Sequence, residues 1–293
     1  MRVPSCRQAL LIASALAVAA ALLAGRCATA VEPATDNALR VCADPNNLPY
    51  SNERRDGFEN KMAELFGKQL GQPVAYTWWA QRRGFIRKTL KAGECDVVMG
   101  LPKGLDTVET TRPYYRSTYV FVSRADRHLD VSSITDPRLR SLKIGVQLIG
   151  DDGFNTPPAH ALALQGIIDN VVGYTVYGDY READPPARIV EAVERDDIDI
   201  AAVWGPQAGY FARRSPVELA VVPITGTARF APLLFQFDIA IGVRKGDDRR
   251  REQFDLLISQ NSLNIAQILV EYGVPMVAAN RQHDSTNRPG PEE

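Results

Sequence analysis

Short apolar segments alternate with helical patterns along the first part of the chain. Apolar side chains recur at helical spacing from Phe58 to Leu70, and Gly71 is placed to end that helix. Gly100 directly follows another apolar run and is expected to end a strand. The predicted strands are residues 39–43, 74–79 and 96–99, and the predicted helices are residues 58–70 and 85–90. Strands that alternate with helices predict a parallel sheet with helices on both faces.

The alternation resumes after residue 137 and predicts a second α/β unit. Its strands are predicted at residues 142–147, 171–177 and 198–204, with helices beginning at Pro157 and covering 187–195. The polar segment 123–140 lacks a period, which indicates a crossover between two lobes. A strand at 238–243 and helices at 249–258 and 265–272 then return to complete the first lobe. The predicted fold is α/β, with two lobes, two parallel sheets and two hinge crossovers.

The first thirty residues have the pattern of an export signal. Arg2 and Arg7 precede an uncharged apolar run over residues 9–24, and Ala28 and Ala30 flank Thr29 in a small-residue cleavage pattern. We expect a signal peptide over residues 1–30, with cleavage after Ala30 and a periplasmic location. A retained membrane anchor is the alternative, although the apolar run is shorter than the roughly 20 residues that a membrane span needs.

Removal of residues 1–30 sets the limits of the mature protein. Lobe 1 is expected over residues 31–124 plus 236–279, lobe 2 over 125–235 and a disordered tail over 280–293. The removed segment holds three arginines and no acid, so the formal net charge falls from −1 to −4. This leaves no basic excess for binding nucleic acid or an anionic membrane.

Export also changes the interpretation of the cysteines. Cys6 and Cys27 leave with the signal, so Cys42 and Cys95 remain in an oxidising compartment and are expected to form one disulfide. Two separate buried thiols are the alternative. No metal site is predicted, because the three histidines are scattered without ligand spacing.

The loops after the predicted strands are the expected position of a functional site. In open parallel sheets, functional groups gather beyond the carboxyl ends of the strands, and loops of two facing lobes would line a cleft. The candidate residues of this cleft, for a ligand or a partner, are Asp44, Asn46, Asn47, Tyr50, Trp79, Arg82, Arg83, Lys103, Tyr115, Asp151, Asp152, Trp204 and Gln207.

No catalytic residue is predicted among these candidates. The loops hold no Gly-rich phosphate loop, no G-x-S-x-G motif and no Cys–His pair. Asp44, Asp151 and Asp152 have acid–base chemistry available, but each also fits a turn-forming role. Trp79 and Trp204 suit either a cleft wall or core packing.

Four segments resemble one known family of proteins. Residues 39–52 read LRVCADPNNLPYSN and are followed by GFEN at 57–60. The further matching segments are WW at 78–79 with QRRGF at 81–85, CDVVMG at 95–100, and TRPYYRS at 111–117. Together they strongly resemble the quinoprotein-dehydrogenase-associated solute-binding proteins, the MoxJ and XoxJ family. The motif matches run from about residue 39 to 124 and are long and specific.

The resemblance implies a type II periplasmic binding-protein fold and a role in the assembly or activation of a pyrroloquinoline-quinone (PQQ) methanol dehydrogenase. The implied partner is the large subunit of that dehydrogenase, in its apo or loaded form. PQQ would belong to this partner, and no tightly bound cofactor is expected in the chain itself. The alternative from the transport class is the substrate-binding component of an ABC importer. An enzyme similar to cyclohexadienyl dehydratase is a further alternative, without a matching catalytic carboxylate.

The broader family of amino-acid-binding proteins offers a test of the ligand. Its members usually hold the ligand carboxylate with an Arg shortly after the third strand, whereas here no Arg occurs between Gly100 and Arg112. Trp204 takes about the position of the Asp that usually holds the ligand ammonium, and Asp151 and Asp152 would repel an anion. The resemblance therefore argues against ordinary amino-acid capture and predicts a wider or more apolar cleft, for an apolar ligand or a protein segment.

Overall fold

The structure, a computed structural model, describes residues 37–149, 154–175, 180 and 182–278. The predicted signal peptide, Asp151, Asp152 and the predicted tail lie outside the described residues. The strands are β1 (Leu39–Ala43), β2 (Asn46–Asn47), β3 (Ser51–Asn52), β4 (Val74–Trp78), β5 (Val97–Pro102), β6 (Glu109–Thr110), β7 (Tyr115–Arg124), β8 (Ile144–Ile149), β9 (Phe154–Asn155), β10 (Val171–Thr175), β11 (Ile200–Trp204), β12 (Leu219–Pro223) and β13 (Gln236–Val243). The α-helices are α1 (Phe58–Leu70), α2 (Phe85–Lys88), α3 (Pro157–Leu164), α4 (Arg188–Glu194), α5 (Gly205–Ala212), α6 (Asp248–Gln260) and α7 (Ser262–Glu271).

The main sheet has the strand order β10–β8–β11–β7–β13–β5–β1–β4. The strands of each flank are parallel, since β1 pairs with β4 and β5, and β8 pairs with β10 and β11. In the centre, β7 and β13 are antiparallel to each other and to their neighbours. The predicted α/β class is therefore confirmed, with antiparallel strands where the chain passes between the two halves of the sheet.

Strands β7 and β13 connect the two halves directly. The first part of β7 pairs with β13, from Ser117 opposite Phe237 to Tyr115 opposite Ile239, and its second part pairs with β11 and β12. Beyond Ile239, β13 pairs with β5. The predicted crossover segment 123–140 begins within β7, and its missing period reflects two 3-10 turns, Ala125–Arg127 and Pro137–Arg140. The lobe boundaries stay predictions.

Helix α1 forms where the spacing of its apolar residues predicts a helix, and its side chains make up much of the core. Phe58, Met62 and Phe66 are fully buried, and the ring of Phe66 meets Phe254 of α6 edge to face at 5.6 Å. Gly71 ends the helix in the left-handed conformation, as predicted. The apolar stripe thus fixes this helix between the sheet and the C-terminal helices.

Two features of the fold differ from the sequence prediction. Strand β5 continues through Gly100, which adopts a φ of +73°, and the pairing register of β13 shifts beside it. Helix α5 was not among the predicted helices, although every residue from Gly205 to Phe211 is buried. A helix that is buried on all sides has no polar face, so its sequence lacks the amphipathic period from which a helix is predicted. No helix in the described ranges is long and apolar enough to cross a bilayer.

Cys42 and Cys95 form a disulfide, with their Cα atoms 5.5 Å apart. The predicted bridge is confirmed, and the alternative of two separate thiols is wrong. Both cysteines are buried, and the neighbouring pairing of Cys42 with Val98 joins β1 to β5. The bridge therefore links two strands that already pair.

The buried carboxylate of Asp96, which lies beside the disulfide, contacts residues from three other parts of the chain. Asp96 accepts hydrogen bonds from the Arg40 side chain at 2.8 and 3.2 Å, and Arg244 and Arg250 lie 3.5 and 3.7 Å from the same carboxylate. Burial acts to raise the pKa of Asp96, but the hydrogen bond from Arg40 and the charge of Arg250 outweigh it and lower the pKa. The cluster connects the start of β1 and β5 to the loop and helix after β13.

Loss of the disulfide should destabilise the protein. The bridge closes a sequence separation of 53 residues, for which the chain-entropy estimate is about 4 kcal/mol. We expect Cys42→Ala/Cys95→Ala to lower the free energy of unfolding in urea by about this amount. Alkylation of the denatured, unreduced protein should label neither cysteine, and labelling of both would contradict the bridge.

Neutralisation of Asp96 should destabilise the protein in a pH-dependent way. Because the folded-state pKa is lowered, the stabilisation is present above the unfolded value of about 4 and is lost as pH falls through the folded pKa. Asp96→Asn should lower the free energy of unfolding by about 2 kcal/mol at neutral pH. The difference from the unsubstituted protein should shrink as the pH falls below the unfolded value of about 4 and through the lower folded-state pKa, as measured in urea titrations.

Asp126→Asn is the matched control, because Asp126 pairs with Arg124 on the surface and its side chain is 63% exposed. Its effect should be much smaller. Equal effects of the two substitutions would contradict a structural role for the buried cluster.

Candidate functional site

A cavity of about 400 Å³ lies where the central strands meet the loops of both halves. Its walls combine five aromatic rings with several amides and one carboxyl group. The lining residues are Asn47, Tyr50, Glu59, Gln81, Gly100, Leu101, Pro102, Tyr115, Tyr119, Gln147, Thr156, Pro157, Trp204, Gln207, Phe237 and Ile239. The volume falls within the usual range of small-molecule sites.

Strands β7 and β13 supply one aromatic wall of the cavity. Tyr119 of β7 meets the ring of Trp204 edge to face at 5.2 Å, and Trp204 meets Phe237 of β13 at 5.7 Å. Trp204 is partly exposed, lines the cavity and also packs against two clusters of buried apolar side chains, one that contains Phe58 and Phe66 and one that contains Tyr119 and Phe121. The two roles weighed for Trp204 from the sequence are thus combined in one side chain.

A second aromatic group is supported by helix α1. Tyr50 and Tyr115, which both line the cavity, meet the buried ring of Phe58 edge to face at 5.4 and 6.0 Å. Because Phe58 is fully buried, it holds these two rings in place from behind.

Two buried glutamines orient the polar wall of the second half. The Gln147 side chain donates to the Oε1 atom of Gln207, and its own Oε1 accepts the backbone N–H of Trp204 at 2.8 Å. The Thr156 hydroxyl donates to the Gln147 carbonyl at 3.0 Å. Gln207 is therefore positioned by a hydrogen-bond network and by helix α5, which begins at Gly205.

Asp44 organises the loop after β1. Its carboxylate accepts hydrogen bonds from the backbone N–H groups of Asn46 at 2.8 Å and Gln81 at 2.7 Å, and from the Tyr180 hydroxyl at 3.2 Å. Burial raises the pKa of Asp44, and these hydrogen bonds act in the opposite direction. Asp44 does not line the cavity, so the geometry agrees with the turn-forming role.

Glu59 brings a carboxyl group to the cavity wall, the one carboxyl group among the described lining residues. It lies in the first turn of α1, and burial raises the pKa of its carboxyl group to about 8. A Cβ atom at Gly100 would lie 2.0 Å from its Oε1, so the carboxyl occupies space that only a glycine leaves open. Sequence reasoning gave Glu59 no role, although the residue lies within the recognised GFEN segment.

The sequence-predicted residues fall into several groups. Asn47, Tyr50, Tyr115, Trp204 and Gln207 line the cavity, whereas Asp151 and Asp152 lie outside the described residues. Asn46 and Trp79 instead line a separate depression with Tyr180 and Glu182, Arg82 lines a third, and Arg83 and Lys103 are exposed. Any binding role of these side chains stays a prediction.

The position of Trp79 has a topological reason. It directly follows β4, the edge strand of the sheet, while the cavity lies at the central strands. Its side chain is 42% exposed, with the Lys88 ammonium 5.3 Å from its ring centroid. Trp79 is thus neither in the cavity wall nor in the core. The other lining residues that sequence reasoning missed are Gln81, Tyr119, Gln147, Thr156 and Phe237.

Known structures identify the class of protein that this fold and cavity define. Periplasmic binding protein XoxJ from Methylobacterium extorquens AM1 is 31% identical, with a TM-score of 0.68 over 82% of this chain and 100% of its own. MxaJ from Methlophaga aminisulfidivorans MPT is 25% identical, with a TM-score of 0.69 over 82% of this chain and 100% of its own. The chain has a type II periplasmic binding-protein fold.

Sequence comparison gives the family. Protein MoxJ from Methylorubrum extorquens is 32% identical over 251 residues, which cover 82% of this chain and 81% of that protein. The chain therefore belongs to the MoxJ family, as its motifs indicated. It groups with periplasmic binding proteins and not with enzymes. No family model matches the chain. Among the described residues, no group of His, Cys, Asp and Glu has the arrangement of a metal site.

The contact between Gly100 and Glu59 can be tested by a double-mutant cycle. Gly100→Ala adds a Cβ at a positive φ and against the Glu59 carboxyl, so it should cost about 2 kcal/mol of unfolding free energy. In a Glu59→Ala background, the cost should fall to about 1 kcal/mol, because only the backbone strain remains.

Gly104→Ala is the control, since Gly104 has a φ of +80° and open space around its Cβ position. Its cost in urea unfolding should be the same in both backgrounds. An undiminished cost of Gly100→Ala in the Glu59→Ala background would contradict the contact.

Proposed function

We propose that this protein is a periplasmic accessory protein that assists the assembly or activation of a PQQ-dependent methanol dehydrogenase. The observation that carries the proposal is membership of the MoxJ family, with 32% identity to Protein MoxJ over 82% of the chain. The segments over residues 39–124 support it through their resemblance to quinoprotein-dehydrogenase-associated proteins. Export by a cleavable signal peptide, with cleavage after Ala30, is part of the proposal.

The cavity wall supports a role other than amino-acid capture. No lysine or arginine is found among its described lining residues, and Lys103, which follows β5, is exposed elsewhere. A ligand carboxylate would therefore enter the cavity without a cationic partner, which is unfavourable. Trp204 contributes an apolar surface where an amino-acid-binding protein would use an acidic anchor.

The proposed partner is the large subunit of the dehydrogenase, in its apo or its PQQ-loaded form. PQQ stays with this partner, and the cleft with its surrounding surface forms the contact. A partner segment inserted between the aromatic walls would bury Tyr50 and Trp204, the kinds of side chain that often dominate protein interfaces.

A second candidate is the binding component of an ABC importer for a small metabolite other than an amino acid. The cavity favours it, because a volume of about 400 Å³ suits a small molecule. An importer component would show a thermal shift with its metabolite and no affinity for the dehydrogenase.

Titration with purified dehydrogenase tests the leading proposal. We expect the protein to bind the apo or the PQQ-loaded large subunit in analytical ultracentrifugation and calorimetry. Tyr50→Ala in the cavity wall should weaken the complex about tenfold or more, as expected for an interface anchor.

Leu263→Ala is the matched control, because Leu263 is 85% exposed on α7 and does not line the cavity. It should leave the affinity unchanged. Absence of association with both forms of the dehydrogenase would overturn the proposal. Equal weakening by the two substitutions would refute the cleft as the contact.

A further inference from the structure

Two groups at the cavity wall have no partner among the described residues, the Glu59 carboxyl group and the Oδ1 atom of Asn47. Among the described residues, neither a hydrogen-bond donor nor a cation contacts the Glu59 carboxyl, and burial alone accounts for its raised pKa. The Oδ1 atom of Asn47 is also buried without a partner, although Nδ2 of the same side chain donates to Gln81 at 3.0 Å. Asn47 is only 2% exposed and lines the cavity.

Glu59 and Asn47 differ in this respect from Gln147 and Thr156 of the polar wall. Gln147 uses both ends of its side-chain amide, and Thr156 donates to a carbonyl. Buried polar groups are rarely left unpaired, because a buried group without a hydrogen bond loses the bonds that it makes with water in the unfolded chain. A ligand with N–H groups or positive charge would give the Glu59 carboxyl and Asn47 Oδ1 the partner that the described residues do not provide.

The aromatic rings of the cavity suit the body of such a ligand. Tyr119, Trp204 and Phe237 form one contiguous edge-to-face group, and Tyr50 and Tyr115 form another around Phe58. The faces of Trp, Tyr and Phe attract cations, most strongly where water is excluded. Aromatic surfaces on two sides together with one carboxyl group match the chemistry of ammonium recognition.

We propose that the cavity binds a small organic cation, a protonated or quaternary ammonium with an apolar body and no carboxylate. The ammonium lies near Glu59 and Asn47, and its apolar part packs against the aromatic wall around Trp204. The absence of lysine and arginine among the described lining residues gives a carboxylate on the ligand no cationic partner. This inference does not depend on the dehydrogenase role, because it concerns only what the cavity itself holds.

Binding of such a cation should release a proton from Glu59. The titratable groups that face Glu59 are Tyr76, Tyr114 and Tyr115, and burial raises the pKa of each tyrosine, that of Tyr76 to about 12. These tyrosines stay neutral between about pH 6 and 9, whereas the Glu59 carboxyl, with a pKa of about 8, titrates within that interval. A bound cation favours the ionised carboxylate, so its affinity should increase as the pH rises.

Calorimetric titration with matched pairs of compounds tests the proposal. The cations are choline, benzylammonium and cyclohexylammonium, and their neutral counterparts are 3,3-dimethylbutanol, benzyl alcohol and cyclohexanol. We expect at least one cation to bind about tenfold or more tightly than its counterpart, with an affinity that increases from pH 6 to pH 9. Glu59→Gln should remove this preference and the pH dependence together, while Asp126→Asn on the surface leaves both unchanged.

Each contrary result has a defined meaning. If no cation binds better than its neutral counterpart, or if Glu59→Gln retains the preference, the proposal is overturned. Glycine betaine, which adds a carboxylate to the quaternary ammonium, should bind more weakly than choline, and equal binding would refute the exclusion of carboxylates. Glu59→Gln should also give an unfolding transition as cooperative as that of the unsubstituted protein, which separates lost recognition from lost folding. The titration with the dehydrogenase is carried out without these compounds, so the two proposals can fail independently.

Discussion

The antiparallel pairing of β7 with β13 is the constraint on which the rest of the structure depends. These strands carry the chain from one half of the sheet to the other, so their hydrogen bonds join the two halves. The same strands place Tyr115, Tyr119, Phe237 and Ile239 in the cavity wall. Side chains alternate across a strand, and residues on facing strands stay in register, so the aromatic wall follows from the pairing itself.

The environment of Glu59 shows how local backbone geometry sets the chemistry of the cavity. Helix α1 is fixed by the burial of Phe58 and Phe66, and this places the next side chain, Glu59, against Gly100. A positive φ at Gly100 lets the strand continue while leaving space for the carboxyl group. Because the surroundings are apolar and aromatic, a bound charge would readily change the protonation state of the Glu59 carboxyl group.

Much of the fold was predictable from the sequence, but less of the cavity was. Strands and amphipathic helices such as α1 follow from their periods, whereas α5 is buried on all sides and has none. The loops after the strands were expected to supply site residues, and Asn47 and Tyr50 of the loop after β1 line the cavity. Trp79 lies elsewhere because the chain alone does not reveal that β4 is an edge strand. The role of Glu59 was not predictable, since it arises from the backbone conformation of a residue 41 positions away in the sequence.

The contacts of the loop after β1 have a consequence for the exchange of any ligand. Asp44 accepts a hydrogen bond from Tyr180, and the Asn46 side chain donates to the Glu182 carbonyl at 2.9 Å, both over 136 positions in the sequence. If a ligand enters through separation of these segments, each contact must first break, at a net cost of about 1 kcal/mol. The rate of this opening step would then set how long the ligand remains in the cavity. Substitutions far from the bound molecule would change how long it stays without altering any contact that it makes.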